Sequence, residues 1–475
     1  MSREELGLTE RQRSIAFFTV LIVVVLEVAD STIVNTALPA IKAALGASPA
    51  AMQWIVAGYL LSLGSLLLLG GRLGDAFGYR RMFLIGVSSF VIASMLCGLA
   101  QSPTQLVLAR IAQGAAGAVM GPQTMAIVQL LYTPLERVTR LAWFGIIVGL
   151  SAIVGPIIGG VLIEWNPLGL GWRLIFLINL PVGAVALTLG RTALPAIRPS
   201  GTLRIDPIGA AMFAIGFGGI LLALIQGAEL GWPLWAFALI AGGALLVGLG
   251  WTRAVRRRRA GQPAIIEPGL FGLRTFRWGI FAALAFSSGA MGFLLILAVS
   301  LQQGLGLTPL ATALIHIPFG LGVMLGVGLI GPRLLPRFGR WLPLTGGVMM
   351  LAGVLSALAL IASGQSGGVP LILALALGGM GFGTLSGPLG PIVVAEVDRA
   401  HAGTASATMR TAQQLGGSFG IAIVGAAYFS MAGQGLAGLL PGAIAFAVLI
   451  VGAMIAVSRL PDDIFGPRKA AAIDG

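Results

Sequence analysis

Long apolar segments recur through the whole 475-residue chain, in which only 9% of residues are charged. A soluble protein of this size carries about 25% charged residues. A bilayer core of about 30 Å needs about 20 apolar residues for each helix that crosses it. Fourteen segments of this kind predict an all-α polytopic membrane protein. They span residues 14–38, 52–71, 82–101, 104–130, 141–163, 172–190, 207–226, 234–251, 278–300, 309–331, 341–363, 371–394, 408–430 and 440–458.

Arginine is concentrated in alternate loops between these segments. The opposite set of loops contains little basic charge beyond Lys42 and Arg173. Because positively charged loops remain on the cytoplasmic side of a membrane, this asymmetry predicts that both termini are cytoplasmic, in agreement with an even number of crossings. We expect the protein in the cytoplasmic membrane.

The fourteen segments divide into groups of six, two and six. We predict an N-terminal six-helix half over residues 1–190, an inserted helix pair with a basic cytoplasmic loop over residues 191–273, and a C-terminal six-helix half over residues 274–475. Two like halves around a site near the bilayer midplane are a common plan among membrane transporters.

The composition argues against several other classes of protein. The basic run from Arg253 to Arg259 is similar to a nucleic-acid-binding arm, but the net charge of +13 is spread over many short loops, which is the pattern of membrane orientation. The single cysteine, Cys97, excludes a disulfide framework and a cysteine metal site. No metal, cofactor or nucleic acid is expected.

A Gly-x-Ser-x-Gly pattern at Gly416–Gly420 matches the nucleophile elbow of hydrolases. It lies within a predicted membrane helix, with no strand before it. The two histidines of the chain, His316 and His401, have no obvious acidic partner in the sequence. We therefore do not expect an enzyme.

The first apolar segment contains two carboxylates, Glu27 and Asp30, three residues apart and thus on one helix face. The fourth contains Arg110 and Gln113, with the guanidinium about one and a half turns inside the membrane. Such a charge is unfavourable by about 2–3 kcal/mol unless it is paired or hydrated. At a rise of about 1.5 Å per residue, we expect Asp30 and Arg110 to lie at similar depths in the membrane.

Burial favours the protonated form of a carboxyl group, and a nearby arginine favours the ionised form. A carboxyl group held between these influences can exchange protons near neutral pH. Two interpretations stay open: Asp30 and Arg110 form a structural pair while Glu27 lines a wet cavity, or the carboxylates exchange protons. Arg110 is either paired or extends towards the membrane surface.

The stretch GGRLGDAFGYRR, Gly70–Arg81, connects the second and third segments. Glycines permit a tight turn there, and Asp75 can accept from helix-end amides or pair with an arginine that follows it. Such a clamp can hold one half against the other, and the alternative is an ordinary basic loop. The residues of this candidate gate are Gly71, Asp75, Gly78, Arg80 and Arg81.

The fifth segment contains two small-xxx-small pairs, Gly145 with Gly149 and Gly155 with Gly159, together with Pro156. This pattern predicts close helix packing with a hinge.

The stretch Gly70–Arg81 resembles, position by position, the signature loop of the major facilitator superfamily, and Leu106–Pro122 resembles its second motif. A weaker copy of the loop, Gly331–Arg340, has Pro336 in place of the aspartate, which supports two related halves.

The fourteen-helix drug:proton antiporter family is the branch that the chain resembles over nearly its whole length. The resemblance is carried by Leu26–Pro39, by the Trp-Arg-x-x-Phe-x-x-Asn-x-Pro pattern in Gly171–Gly183 and by the six, two and six layout. The chain departs from the family at position 413, where Gln413 replaces the arginine that the resemblance leads us to expect. Arg410 lies one turn earlier. The antiporter motif is matched by Gly149, Gly155, Pro156, Gly159 and Gly160.

This resemblance implies a major facilitator fold and a proton-coupled exporter that moves hydrophobic drugs or dyes outward by alternating access. The second carboxylate favours cationic substrates. The candidate proton-coupling residues are Glu27, Asp30 and Arg110. The candidate substrate-cavity residues are Glu27, Asn35, Tyr59, Gln113 and Gln302.

The expected partners are a small hydrophobic substrate, protons and the lipid bilayer, and we expect a monomer. The alternative within transport is a dedicated exporter of one endogenous metabolite, antibiotic or siderophore. A membrane sensor or scaffold would need an added soluble domain, whereas the longest loop has about 25 residues.

Overall fold

The computed structural model describes residues 9–195, 206–398, 401–431 and 436–461. Both termini, predicted to be cytoplasmic, lie outside the described residues. Fourteen long helices follow one another through the described part of the chain. They are α1 (Glu10–Leu45), α2 (Pro49–Phe77), α3 (Tyr79–Leu99), α4 (Pro103–Leu131), α5 (Pro134–Trp165), α6 (Gly171–Ala193), α7 (Pro207–Glu229), α8 (Leu234–Arg259), α9 (Arg274–Gly304), α10 (Pro309–Ile330), α11 (Trp341–Ala362), α12 (Val369–Val394), α13 (Ala402–Phe429) and α14 (Leu439–Ser458).

Twelve helices in the described ranges are long and apolar enough to cross a bilayer. The other two long helices are α4 and α13, which have 29 and 28 residues. Both are more polar, because Arg110 lies in α4, Arg410 lies in α13, and each also contains glutamines. The all-α polytopic class is confirmed, while fourteen membrane crossings stay a prediction.

The first helix is longer than the apolar segment that predicts it. With 36 residues, α1 measures about 54 Å, against about 30 Å of hydrocarbon. Thr9 and Gln12 form a capping box at its beginning, and Gly46 ends it with a left-handed φ of 65°. The ends of α1 are therefore placed by polar and glycine caps that lie outside the apolar pattern.

The junction between α2 and α3 is tighter than the sequence predicts. α2 continues through Phe77 and α3 begins at Tyr79. The turn is made at Gly78, whose φ of 92° favours glycine. Gly71 lies inside α2, where a Cβ would be 3.8 Å from Pro122 of α4.

The helix packing of the first half recurs in the second half. α1 packs on α5 and α6, and α4 packs on α2 and α3. Correspondingly, α9 packs on α13 and α14, and α12 packs on α10 and α11. The same contacts, shifted along the chain, are expected of two related six-helix halves. In the chain, α7 and α8 come after the first set of six helices and before the second.

The described residues divide into two compact units, which fall within Met1–Ile215 with Arg259–Ile265 and within Gly216–Arg258 with Ile266–Gly475. In the second unit, Phe217 of α7 contacts Phe419 of α13, with ring centroids 6.0 Å apart. The division into an N-terminal half, an inserted pair and a C-terminal half stays a prediction.

Glycine allows helices within the second unit to approach very closely. A Cβ added to Gly420 of α13 would lie 1.8 Å from the backbone oxygen of Ser288 in α9. A Cβ on Gly379 of α12 would lie 1.9 Å from the backbone oxygen of Phe319 in α10. A side chain at either position would force two backbones apart, so these glycines are required by packing.

We predict that Gly420→Ala destabilises the protein, although alanine in a helix is normally about 1 kcal/mol more favourable than glycine. The added methyl group meets the Ser288 backbone, and overpacking of this kind is unfavourable by about 1–3 kcal/mol. Thermal unfolding of the detergent-purified variant measures the effect. Gly248→Ala is the matched control, because its Cβ would meet nothing within 4 Å. Equal unfolding midpoints for the two variants would contradict the prediction.

Candidate functional site

A buried ion pair joins α1 to α4. Arg110 Nη1 lies 2.6 Å from Asp30 Oδ2, and both side chains are 0% exposed. Breaking such a pair leaves one charge uncompensated in a medium of low polarity. The two residues that the sequence predicts at similar depths are therefore in direct contact, and Arg110 is paired rather than extended to the membrane surface.

Two amides complete the surroundings of the Asp30 carboxylate. Gln113 Nε2 of α4 and Asn179 Nδ2 of α6 each donate to Asp30 Oδ1 at 2.8 Å. Ser94 Oγ of α3 accepts from the same two nitrogens, at 2.7 Å and 3.1 Å. We call Ser94, Gln113 and Asn179, with the ion pair, the charge cluster; it connects four helices of the first unit.

The Arg110 guanidinium is held on several sides. Nη1 also donates to Gln113 Oε1, and Nε donates to the backbone oxygen of Ile55 in α2 at 3.1 Å. Its Cζ lies 4.1 Å from the centre of the Tyr59 ring and 5.7 Å from that of Phe176. Contact with an aromatic face stabilises a desolvated cation by about 2 kcal/mol. Within the described residues, Nη2 has no hydrogen-bond partner.

Two members of the charge cluster, Ser94 and Asn179, are absent from the residues predicted for the site. Asn179 belongs to the Trp-Arg-x-x-Phe-x-x-Asn-x-Pro pattern, and a buried amide in an apolar helix needs a partner. That requirement is the sequence signal that could have pointed to Asn179. Ser94 has no comparable signal, because serine often bonds to its own helix.

The second carboxylate of α1, Glu27, lies beside a glycine of α4. Glu27 is buried, and a Cβ added to Gly121 would lie 3.0 Å from Glu27 Oε2. The absence of a side chain at position 121 thus leaves room for the carboxylate. Glu27 and Asp30 both face α4, as their spacing predicts.

The remaining predicted cavity residues are distributed differently. Asn35 of α1 is buried, and its Oδ1 has no hydrogen-bond partner in the described part of the chain. Tyr59 lies against Arg110 and is fully buried. Gln302 is partly buried in a π-helical turn, Ser300–Gly304, in the second unit. The structure therefore brings Tyr59 and Gln113 to the charge cluster. The role of all four residues, Asn35, Tyr59, Gln113 and Gln302, in a cavity stays a prediction.

The glycines of the antiporter motif lie against the carboxylate-bearing part of α1. A Cβ on Gly155 would lie 2.6 Å from Thr32 Oγ1, and one on Gly159 would lie 2.6 Å from Ile33 Cγ1. Pro156 and Gly160 are buried next to them in α5. Gly149 is partly buried one and a half turns earlier. The motif therefore sets how closely α5 approaches α1 around Asp30.

The candidate gate residues lie at one end of the first unit. Asp75 is exposed and accepts a hydrogen bond from the Tyr79 hydroxyl at 2.8 Å. Arg80 donates to the backbone oxygen of Arg191, in the last turn of α6. Arg81 is exposed. These contacts tie the α2–α3 junction to α6, and the clamp between halves stays a prediction.

The twelve membrane-crossing helices in the described ranges, the recurring packing order and a buried ion pair are typical of multi-pass membrane transporters. The sequence profile of the Major Facilitator Superfamily matches residues 20–205 and 200–421. The chain belongs to this superfamily, and it is a multi-pass protein of the plasma membrane.

Similar proteins of known name are transporters and resistance proteins. The chain is 39% identical over 415 residues to the probable actinorhodin transporter of Streptomyces coelicolor, covering 86% of this chain and 71% of that protein. It is 36% identical over 406 residues to the puromycin resistance protein pur8 of Streptomyces alboniger, covering 84% of this chain and 78% of that protein.

A solved structure shows the same fold at low sequence identity. The bacterial homologue of the human lysosomal transporter Spinster, in its inward-facing and occupied conformation, aligns with a TM-score of 0.65 and 17% identity. The alignment covers 95% of this chain and 97% of that chain. The predicted major facilitator fold is confirmed.

We predict that Asp30→Asn and Arg110→Gln each destabilise the protein, since loss of one partner of a buried ion pair is unfavourable by about 3–5 kcal/mol. The destabilisation of the double variant should be smaller than the sum of the two single destabilisations, because the double variant leaves no charge without its partner. Thermal unfolding in detergent measures both effects. Glu229→Gln, which removes an exposed carboxylate at the end of α7, is the control. Additive single effects would show that the pair does not interact in the folded protein.

Proposed function

We propose that this chain is a proton-coupled exporter that exchanges inward-moving protons for outward-moving hydrophobic compounds. The observation that carries the proposal is the buried Asp30–Arg110 pair, with a second buried carboxylate, Glu27, on the same face of α1. Ionisable residues within a membrane domain mark ion pathways and proton relays. The names of two relatives, a puromycin resistance protein and a cephamycin export protein, support the outward direction.

The driving force of such an exchange is the proton gradient. One charge moving down about 100 mV of membrane potential releases about 2.3 kcal/mol, to which the pH difference adds. The proton can drive a conformational change only if its affinity for the site differs between the inward-open and outward-open states. A carboxyl group whose partners change between those states meets this condition.

We assign proton exchange to Glu27 and the role of counter-ion to Asp30. Protonation of Asp30 would remove the charge that neutralises Arg110 in a fully buried position. Glu27 lies next to Gly121, where no side chain separates it from α4. A buried carboxylate also favours cationic or weakly basic substrates, since an opposite charge offsets its desolvation.

We predict that Glu27→Gln abolishes substrate-induced proton release in everted membrane vesicles, because glutamine cannot exchange a proton. Ethidium, a hydrophobic cation, is the probe, and a pH-sensitive dye follows the release. Glu229→Gln should retain the wild-type signal, since that carboxylate is exposed at the end of α7. Proton release by Glu27→Gln at the wild-type rate would refute the assignment of Glu27.

A dedicated exporter of one compound, such as an antibiotic, is the second candidate, favoured by relatives that are each named for a single compound, actinorhodin or puromycin. Multidrug export and dedicated export predict different outcomes in a host that lacks its own efflux pumps. We expect expression of this chain to raise tolerance to several hydrophobic cationic dyes. Growth on a panel of such dyes measures this, with the Glu27→Gln variant as the control. Tolerance to none of the dyes would support the dedicated exporter.

A further inference from the structure

The helix α8 packs through one narrow side and leaves another side uncovered. Its buried residues are all small: Ala236, Gly243, Gly250 and Ala254. Their spacing places them on one side of the helix. On the uncovered side, a Cβ added to Gly242 or Gly248 would meet nothing within 4 Å, and Leu245 and Leu249 are exposed. In a protein of the plasma membrane, such an apolar side lies against the acyl chains of lipids.

Arginines dominate the end of α8 that is predicted to be cytoplasmic. The last two turns of the helix contain Arg253, Arg256, Arg257 and Arg258. Arg256 is exposed and lies seven residues after Leu249, so it continues the side that carries the leucines. Within the part of the chain that the structure describes, Arg256 forms no hydrogen bond and no ion pair. One side of α8 therefore passes from apolar residues to a guanidinium at the expected edge of the hydrocarbon core.

The connection from α8 to α9 covers a different side of the helix. Glu267 Oε1 lies 3.0 Å from Arg258 Nε, and the Phe271 ring packs edge-on against Trp251 with centroids 5.0 Å apart. Trp251 and Arg258 are seven residues apart and share that side of α8. Arg256, two residues before Arg258, is turned by about 200° around the helix axis. The connection thus occupies Arg258 and leaves Arg256 open.

We propose that Arg256 binds the phosphate group of an anionic phospholipid in the cytoplasmic leaflet, whose acyl chains lie along Leu249 and Leu245. A guanidinium can donate two parallel hydrogen bonds to a phosphate group, and arginines next to a membrane helix attract anionic lipids. Apolar contact along the chains and charge attraction at the headgroup both strengthen binding of this kind. The lipid site goes beyond the proposed export and depends neither on proton coupling nor on the exported compound.

Membrane orientation alone accounts for the number of these arginines and not for their placement. Orientation depends on how many basic residues a loop carries, and a helix dipole stabilises any cation in the last turn. Neither effect distinguishes Arg256 from Arg258. A lipid site does distinguish them, because only Arg256 continues the side of α8 that carries the exposed leucines.

A fluorophore beside Arg256 tests the proposal at the site itself. Thr252 is exposed between Leu249 and Arg256 and donates only to the Leu249 oxygen of its own helix. Thr252→Cys can be labelled selectively with bimane, because the single native cysteine, Cys97, is buried. The labelled protein is reconstituted in phosphatidylcholine vesicles that contain a small fraction of brominated phosphatidylglycerol or, for comparison, of brominated phosphatidylcholine. Bromine quenches the fluorophore on contact, so quenching reports which lipid occupies the site.

We expect the site to prefer phosphatidylglycerol about fivefold over phosphatidylcholine, the factor that one arginine near an anionic surface supplies. Adding Arg256→Gln should make the two lipids quench equally. Arg258→Gln is the matched control, since it removes the same charge from the same turn but on the side held by Glu267, and it should retain the preference. An unchanged preference in Arg256→Gln would overturn the proposal, as would an equal loss of preference in Arg258→Gln.

Inorganic phosphate separates a lipid site from a site for free anions. Excess sodium phosphate, compared with sodium chloride at the same ionic strength, should leave the quenching by brominated phosphatidylglycerol unchanged, because free phosphate has no acyl chains to lie along Leu245 and Leu249. Loss of quenching in phosphate and not in chloride would show that Arg256 binds a free anion, which would refute the lipid as its ligand.

Discussion

The buried ion pair between Asp30 and Arg110 is the interaction on which the rest of the first unit depends. A guanidinium in the interior of a membrane protein is stable only with a partner, and this one has Asp30 at 2.6 Å, a backbone oxygen and an aromatic face. Meeting those needs brings α1, α2 and α4 together, and the amide of Asn179 adds α6. The charge therefore organises four helices, and it lies at the site to which we assign proton-coupled transport as a proposal.

Close helix contacts make this arrangement possible. α5 approaches α1 at Gly155 and Gly159, directly beside the carboxylates, and α4 leaves room for Glu27 at Gly121. Helices in lipid have no water to drive them together, so backbone proximity at small residues has to supply the attraction. The same packing order recurs in the second half. Close contacts at glycine recur there too, at Gly379 and Gly420.

The site residues that could be predicted from the sequence are the charged residues that interrupt its apolar segments. Glu27, Asp30 and Arg110 are charges in apolar segments, and Asp30 and Arg110, predicted at similar depths, are in contact in the structure. Ser94 and Asn179 were missed because an uncharged polar residue in a helix has many possible partners. Gly71 illustrates the converse. The motif suggested a turn, but its place inside α2 follows from the packing against α4.

The sequence by itself determined the class of protein, the positions of its long helices and the family, because hydrocarbon requires about 20 apolar residues in each crossing helix and tolerates few charges. Only the tertiary structure decided which donors surround Asp30, how the amides of Gln113 and Asn179 are oriented, and which glycines allow α4 and α5 to pack closely against α1. Those features depend on contacts between residues as far apart in the chain as Asp30 and Asn179. Hydropathy and spacing describe each helix alone, whereas the proton affinity of a buried carboxyl group is set by the helices packed around it.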